Sequence, residues 1–222
     1  MKLRAENVSK RYFRKTGESN VFYAVQEVSL ALEPGKMTVI TGRSGSGKTT
    51  LLHMLSGLLS PSEGKVHLDD TDLYALSDRE LSRLRNSSLC VIPQARSAVE
   101  SLTTMENVLL PGILYSNRDQ RDEAMRWMEK LGIDGLQDAR PAALSGGELR
   151  RMAIARALTQ GGDVLLADEP TGDLDDENTA LVLTVLREAA DAGKTVLLVT
   201  HEKEALDYAD QVYRISGGRL QT

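Results

Sequence analysis

The sequence of 222 residues has a single cysteine, Cys90, and therefore no intramolecular disulfide. Because Cys90 lies in an apolar, strand-like run, we expect a buried small hydrophobe there and not a reactive thiol. No apolar stretch approaches the roughly 20 residues that a membrane-spanning helix needs, and no apolar signal sequence follows Met1. A formal net charge of -5 argues against nucleic acid as the main partner. These absences predict a cytoplasmic protein whose role at a membrane, if any, depends on a partner.

A glycine-rich stretch over residues 42–50 carries the strongest chemical signal. It consists of Gly42, Arg43, Ser44, Gly45, Ser46, Gly47, Lys48, Thr49 and Thr50. A strand-like run precedes it and a helix-like run follows it, which is the setting that the pattern G-x-x-x-x-G-K-T requires in a phosphate-binding loop. Its glycines let N–H groups point at an anion, Lys48 can bind the β- and γ-phosphates, and the Thr49 hydroxyl can ligate Mg²⁺. The alternative is a glycine-rich turn that binds nothing, and the lysine, the hydroxyl and the flanking elements argue against it.

Alternation of apolar runs with helical patterns predicts an α/β fold. Residues 164–167 and 195–199 are continuous apolar runs typical of buried parallel strands, and a helix is expected over 202–209. A sheet of such strands is covered by helices on both faces. The segment up to Leu32 is predicted to form β-structure, with a polar turn over 15–20.

The character of the chain changes in its middle third. Little strand signal is found over 95–159, where helices are predicted for 105–115, 118–130 and 147–159. Trp127 is expected on the packing face of the second of these helices. We interpret this segment as a helical insertion in an α/β core.

Polar side chains follow several of the predicted strands. Gly42, Gln94, Asp168 and His201 all lie at carboxyl ends of strands, where parallel sheets bind their ligands. Of the adjacent acids Asp168 and Glu169, one can hold Mg²⁺ while the other faces an attacking water. His201 could hydrogen-bond the γ-phosphate or steady Glu169, and Gln94 could ligate Mg²⁺ or hold the water.

A second glycine motif is formed by Ser145, Gly146, Gly147 and Glu148. Ser145 is a good helix N-cap, and the two glycines leave N–H groups open at the start of a helix, which favours an anion. One nucleotide cannot easily contact two such helix ends in distant parts of a compact domain. Two copies of the chain that face each other head to tail would allow one nucleotide to contact both helix ends. The alternative interpretation of residues 145–147 is a simple loop before a helix that binds nothing.

The motifs, taken in order, resemble those of ABC-transporter ATP-binding subunits. They match the Walker A motif (42–49), Q-loop (Gln94), signature (144–148), Walker B motif (168–169), D-loop (173–175) and H-loop (His201). Tyr12, which strand pattern alone would make an edge-strand packing residue, matches the adenine-stacking aromatic of that family. Residues 143–158 and 168–172 are similar to the subgroup for lipoprotein release, macrolide export and cell division. Ala95 and Asp173 depart from the family pattern, in which an aromatic and Asn or Ala are frequent.

The resemblance implies a site for ATP and Mg²⁺. ATP contacts are carried over to Tyr12, Gly42, Arg43, Ser44, Gly45, Ser46, Gly47, Lys48, Thr49, Thr50, Gln94, Ser145, Gly146, Gly147 and Glu148. Mg²⁺ contacts are carried over to Thr49, Gln94 and Asp168. Catalytic roles are carried over to Glu169, His201 and Lys48.

The resemblance also implies an architecture and a function. We expect a single domain, with residues 1–94 and 160–222 forming a P-loop NTPase core that includes an N-terminal antiparallel β subdomain, and with 95–159 forming a helical subdomain. The protein would hydrolyse ATP as a head-to-tail homodimer at the inner face of the cell membrane. It would drive a permease subunit on a separate chain, in export or extraction. The alternative is an ATP-dependent regulatory switch that acts on a membrane partner without transport.

Overall fold

The structure, a computed structural model, describes residues 1–13, 21–95, 97–115 and 119–221. The turn predicted over 15–20 lies outside the described residues. The strands are β1 (Leu3–Phe13), β2 (Val21–Leu32), β3 (Met37–Thr41), β4 (Glu63–Leu68), β5 (Thr71–Asp72), β6 (Leu89–Ile92), β7 (Val164–Asp168), β8 (Thr195–Thr200), β9 (Gln211–Ser216) and β10 (Arg219–Gln221). The helices are α1 (Lys48–Leu55), α2 (Asp78–Ser88), α3 (Thr104–Tyr115), α4 (Arg121–Lys130), α5 (Gly146–Gln160) and α6 (Asp176–Asp191).

The larger sheet has six strands in the order β10-β9-β3-β8-β7-β6, and all but β10 run parallel. The predicted buried strands are confirmed, because β7 and β8 are buried along their whole lengths. β3 lies between β8 and β9, where Met37 pairs with Val196 and Thr38 with Gln211. The strand that leads into the glycine-rich loop therefore depends on partners from the last quarter of the chain.

The smaller sheet is antiparallel, with the order β2-β1-β4-β5. Its strand β2 alternates as predicted, since Val28, Leu30 and Leu32 are buried and Ser29 is exposed. The antiparallel β-structure expected near the N-terminus is confirmed. Its inner face packs on α1 and on one face of the larger sheet.

The helices agree with the sequence to within a residue or two at their ends except in two places. α4 begins at Arg121, three residues later than predicted, and residue 118 lies outside the described residues. The helix expected over 202–209 is wrong, because only a 3₁₀ helix, Glu204–Tyr208, forms there. The side chain of its N-cap, Lys203, makes no capping hydrogen bond, and so short a segment has little intrinsic helical stability.

The middle segment packs on the larger sheet. Within its described part, which lacks residues 96 and 116–118, the regular elements are α3, α4, α5 and two short 3₁₀ helices. Trp127 is 7% exposed and shares an apolar cluster with Val39, Cys90 and Leu165 of the sheet. Burial raises the pKa of the Cys90 thiol to about 11, as expected for a packing residue. None of the helices in the described ranges is long and apolar enough to span a bilayer.

Candidate active site

The glycine-rich loop connects β3 to α1 at the carboxyl edge of the larger sheet. Gly47, the N-cap of α1, has φ 108°, and a Cβ on it would lie 2.2 Å from the carbonyl oxygen of Ala24. A Cβ on Gly42 would lie 2.5 Å from the carbonyl oxygen of Ile215. Both positions therefore require glycine for packing, and Gly47 requires it for its backbone conformation as well. The N-terminus of α1 is left open toward the loop, which suits an anion.

The hairpin of β9 and β10 stabilises the glycine-rich loop through the backbone of Gly218. The Gly218 N–H donates to the Ser46 carbonyl oxygen at 3.1 Å, and the Gly218 carbonyl oxygen accepts from the Gln26 N–H at 2.8 Å. Gly218 thus connects the glycine-rich loop to β2. The loop conformation depends on three separate parts of the chain.

Lys48 is 6% exposed although it carries a charge. Its ammonium nitrogen Nζ donates to the Gly42 carbonyl oxygen at 2.7 Å and lies 3.5 Å from Oε1 of Glu169. A buried ammonium group needs such partners because burial without them is costly. The cation is therefore held inside the loop, next to a carboxylate.

Asp168, the last residue of β7, is 1% exposed. Its Oδ1 accepts a hydrogen bond from Thr49 Oγ1 at 3.3 Å. Burial raises the pKa of Asp168, and the hydrogen bond from Thr49 opposes that rise. A hydroxyl and a carboxylate oxygen side by side are ligands that Mg²⁺ prefers, so these two residues fit the predicted metal site.

Glu169 is 7% exposed and has φ 47°, a left-handed conformation that non-glycine residues seldom adopt. Its Oε2 accepts from Thr200 Oγ1 at 3.0 Å and from the His201 N–H at 3.3 Å, and it lies 2.9 Å from His201 Nδ1. Burial on its own would raise the pKa of Glu169, but the hydrogen bonds from His201 and Thr200 and the nearby Lys48 charge hold that pKa below its ordinary value. Glu169 is thus an oriented, ionised carboxylate. Of the two contacts considered for His201, the one to Glu169 is present.

These groups line a cavity of about 620 Å³, a volume typical of small-ligand sites. The lining consists of Tyr12, Phe22, Ala24, Arg43, Ser44, Gly45, Ser46, Gly47, Lys48, Thr49, Thr50, Gln94, Glu169 and His201. Gly42 and Asp168 are not in the lining but contact it through Lys48 and Thr49.

Tyr12 and Phe22 form the aromatic wall of the cavity. Their ring centroids are 6.0 Å apart with an interplanar angle of 23°, and the two residues are paired across β1 and β2. Phe22 was not predicted from the sequence. Its strand pairing with Tyr12 is the signal that would have identified it.

The second glycine motif lies outside the 620 Å³ cavity. Ser145 is the N-cap of α5, as predicted, and forms a capping box with Glu148: Ser145 Oγ accepts from the Glu148 N–H at 3.3 Å, and Glu148 Oε2 accepts from the Ser145 N–H at 2.7 Å. The backbone and side-chain hydrogen bonds with Ser145 lower the pKa of Glu148. Ser145 and Gly146 are exposed, Gly147 is half-buried, and Gly146 lines a separate cavity of about 340 Å³. The structure therefore does not bring this motif to the phosphate-binding loop of the same chain.

Comparison with known proteins gives a consistent result. Residues 25–172 match the family described as ABC transporter. The chain is 37% identical over 213 residues to the macrolide export ATP-binding/permease protein MacB of Mannheimia succiniciproducens, covering 95% of this chain and 33% of that protein. It is 36% identical to the probable syringafactin export ATP-binding/permease protein SyfD of Pseudomonas syringae pv. syringae, covering 98% of this chain and 33% of that protein. The chain thus spans about a third of the length of these curated relatives.

Two solved structures share the whole fold. The dimeric structure of MJ0796, a bacterial ABC transporter cassette, matches with a TM-score of 0.92 and 32% identity, over 99% of this chain and 97% of that one. A dimeric post-hydrolysis state of the same ATP-binding cassette, bound to ADP and Pi, matches with a TM-score of 0.92 and 31% identity, over the same shares of both chains.

Proposed function

The chain belongs to the ABC transporter family as an ATP-hydrolysing, ATP-binding cassette, and we propose that two copies of it join head to tail around ATP to drive a separate membrane protein in export or extraction. One observation carries this proposal. The phosphate-binding loop and Glu169 share one cavity, whereas the exposed Ser145 and Gly146 lie outside it at a helix end suited to anions. A second copy can supply that helix end to the cavity.

We assign binding roles within the cavity as follows. The loop N–H groups and Lys48 hold the phosphates, and Tyr12 stacks on the adenine, supported by Phe22. Thr49, Gln94 and Asp168 hold Mg²⁺, which when bound neutralises phosphate charge. In the dimer, Ser145 and Gly147 of the second copy contact the γ-phosphate.

Glu169 is proposed as the base for hydrolysis. It accepts a proton from water while the water oxygen bonds to the γ-phosphorus and the bond from that phosphorus to the bridging oxygen breaks, giving ADP and phosphate. Thr200 and His201 fix the carboxylate in position through Oε2. The lowered pKa of Glu169 keeps it able to accept that proton at neutral pH.

The helical segment is proposed as a subdomain of a single domain, 1–222. Its described residues form helices without strands, which supports a division from the core of 1–94 and 160–222. They also share an apolar cluster with the sheet, which supports treating core and insertion as one folding unit.

The dimer is tested with a hydrolysis-blocked variant, Glu169→Gln. Light scattering should give the monomer mass without nucleotide and twice that mass with ATP, because ATP supplies the charge between the two copies. The matched control adds Gly146→Asp, whose carboxylate suits the first turn of α5 but repels the triphosphate of the opposing copy. The control should bind ATP and remain monomeric. Monomers of Glu169→Gln at high concentration with ATP demonstrably bound would contradict the head-to-tail arrangement.

The membrane partner is tested by cross-linking. Ser101 just before α3 is exposed, and so are Ile113, Leu114 and Tyr115 at the end of α3, so the surface at both ends of this helix is available to a partner helix. A cross-linker on Ser101→Cys in cells should capture an integral membrane protein. The unmodified chain, whose one cysteine, Cys90, is buried, gives the background of the experiment. Cross-links confined to the soluble chain would contradict docking on this side. If ATP changes the activity of the captured membrane protein and no substrate is transported, the result would favour the regulatory switch.

A further inference from the structure

Arg150 connects α5 to the loop that follows β6. Its guanidinium donates from Nη1 to the Pro93 carbonyl oxygen and from Nη2 to the Gln94 carbonyl oxygen, both at 2.8 Å. Gln94 lines the 620 Å³ nucleotide cavity and also the 340 Å³ cavity, and Arg150 lines the latter with Gly146 and Asp173. The residue therefore lies where the start of α5 meets the edge of the nucleotide cavity.

The geometry of this contact is specific to arginine. A guanidinium presents its donors in a rigid planar fork, so two successive carbonyls held by one fork have a fixed mutual orientation. The ring of Pro93 already fixes its own φ. With both carbonyl oxygens held as well, the backbone from which the Gln94 side chain extends has little remaining freedom.

Nearby carboxylates stabilise the charged Arg150 guanidinium at this partly buried position. Burial opposes a charged guanidinium and lowers the pKa of Arg150, while the carboxylates of Asp173, Asp168 and Glu169 favour the charged form. Arginine stays protonated under such conditions. Asp173, which lines the same cavity in the loop after β7, has φ 66°, a left-handed backbone conformation.

We propose that Arg150 is a positioning residue that holds Gln94 in the nucleotide cavity in a fixed relation to the first turns of α5. The role rests on the proposed function, because it deepens the part assigned to Gln94. Through this one side chain, a shift of the α5 N-terminus on meeting the second copy is passed to Gln94 beside the nucleotide of its own chain.

Arg156 provides a matched control on the same helix. Its Nη1 donates to the Ser97 carbonyl oxygen at 2.8 Å, and its Nη2 donates to Ser97 Oγ. It thus attaches the same loop to α5 three residues beyond Gln94; Ser97 lines the 340 Å³ cavity but not the nucleotide cavity, and Arg156 lines neither. If each arginine served only to attach this loop to α5, replacing either one should have the same effect on kcat and on melting temperature.

The test compares Arg150→Met, Arg150→Lys and Arg156→Met by kcat, equilibrium ATP affinity and melting temperature. Arg150→Met should lower kcat roughly 10- to 100-fold, since misplacement of a positioning group has effects of that size, with the ATP Kd changed by less than about threefold. Arg150→Lys should recover only part of the loss, because an ammonium group cannot fix two carbonyls in one plane. Arg156→Met should lower the melting temperature and leave kcat within about twofold.

A double-mutant cycle with Gln94→Ala decides whether Arg150 acts through Gln94. If it does, adding Arg150→Met to Gln94→Ala lowers kcat no further. Additive losses, or an equal kcat loss in Arg156→Met, would overturn the inference and leave the proposed function intact. An unchanged kcat in Gln94→Ala would overturn the role assigned to Gln94 and the inference together.

Discussion

Replacing Glu169 with glutamine removes a base and a charge but very little volume. In the structure Glu169 Oε2 is held by Thr200 and His201, and Oε1 lies 3.5 Å from Lys48 Nζ. The amide oxygen of Gln can replace Oε2 as an acceptor, which leaves the amide nitrogen facing Lys48. We therefore expect the fold and the loop around residue 169 to be retained.

The size of the effect follows from the lost proton acceptor. General-base assistance contributes about 10²–10⁴-fold, so Glu169→Gln should lower kcat by about that factor. ATP binding should be retained or strengthened, because the Lys48 ammonium no longer has a carboxylate beside it and is fully available to the phosphates. A large loss in turnover without a loss in occupancy is thus the expected signature.

The assay measures ATP occupancy by equilibrium binding and turnover by phosphate release, under one set of conditions. Lys48→Ala should lose binding itself, since it removes the buried cation from the loop. Asp168→Asn should fall between the two, because it weakens the proposed Mg²⁺ contact and leaves the base. Glu204→Gln, an exposed carboxylate on the 3₁₀ helix after β8, serves as the matched control and should behave as the wild type.

Two results would refute this reasoning. Loss of ATP binding in Glu169→Gln as severe as in Lys48→Ala would mean that Glu169 holds the nucleotide or the fold. Turnover reduced less than about tenfold would mean that another group accepts the proton.

Three further predictions concern other parts of the structure. Gly47→Ala should abolish ATP binding, because its Cβ would lie 2.2 Å from the Ala24 carbonyl oxygen, and retained affinity in a binding assay would contradict this packing. Tyr12→Leu should raise the Kd for ATP about tenfold, since stacking on a base is worth about 1–3 kcal/mol, and the Kd for free triphosphate should stay unchanged. Asp210→Asn should lower the free energy of unfolding by about 1–2 kcal/mol at pH 7, because it breaks the 2.6 Å ion pair with Arg187. Hydrogen bonds, chiefly from Arg187, lower the pKa of Asp210 from 3.8 to about 2. The stabilisation by this carboxylate is therefore complete above pH 3.8 and disappears as the pH falls toward 2. Denaturant titrations should accordingly show a smaller difference in the free energy of unfolding between wild type and variant at pH 3 than at pH 7.

The parallel core could be predicted from sequence because its signals are local. Apolar runs such as 164–167 are too short for a typical helix and favour a buried strand, and the glycine spacing of 42–47 is typical of a phosphate-binding loop. The strand ends of a parallel sheet then bring the functional side chains to one edge. The cavity that contains Lys48, Glu169 and His201 follows from that geometry.

What the sequence did not predict depends on contacts between distant segments. Phe22 joins the aromatic wall only through the register of β1 on β2. Arg150 looks like one charged residue among several on α5, and its partners are backbone carbonyls of a loop more than 50 positions earlier. Main-chain acceptors leave no mark in the side-chain pattern, so such contacts cannot be predicted from it. The absence of a true helix after β8 has a related cause, since tertiary contacts and not local propensity decide short segments.

The support of the glycine-rich loop by Gly218 has a consequence for biosynthesis. The loop and its support are separated by about 170 residues, and among the described strands β3 pairs with β8 and β9, from the same late part of the sequence. At about 5–20 residues added per second, the ribosome needs roughly 10 to 30 s to make that stretch. A nascent chain therefore carries a complete phosphate-binding sequence but no supported loop until Gly218 has been made. Copies whose synthesis has not reached Gly218 should therefore bind ATP poorly and should not form the proposed dimer.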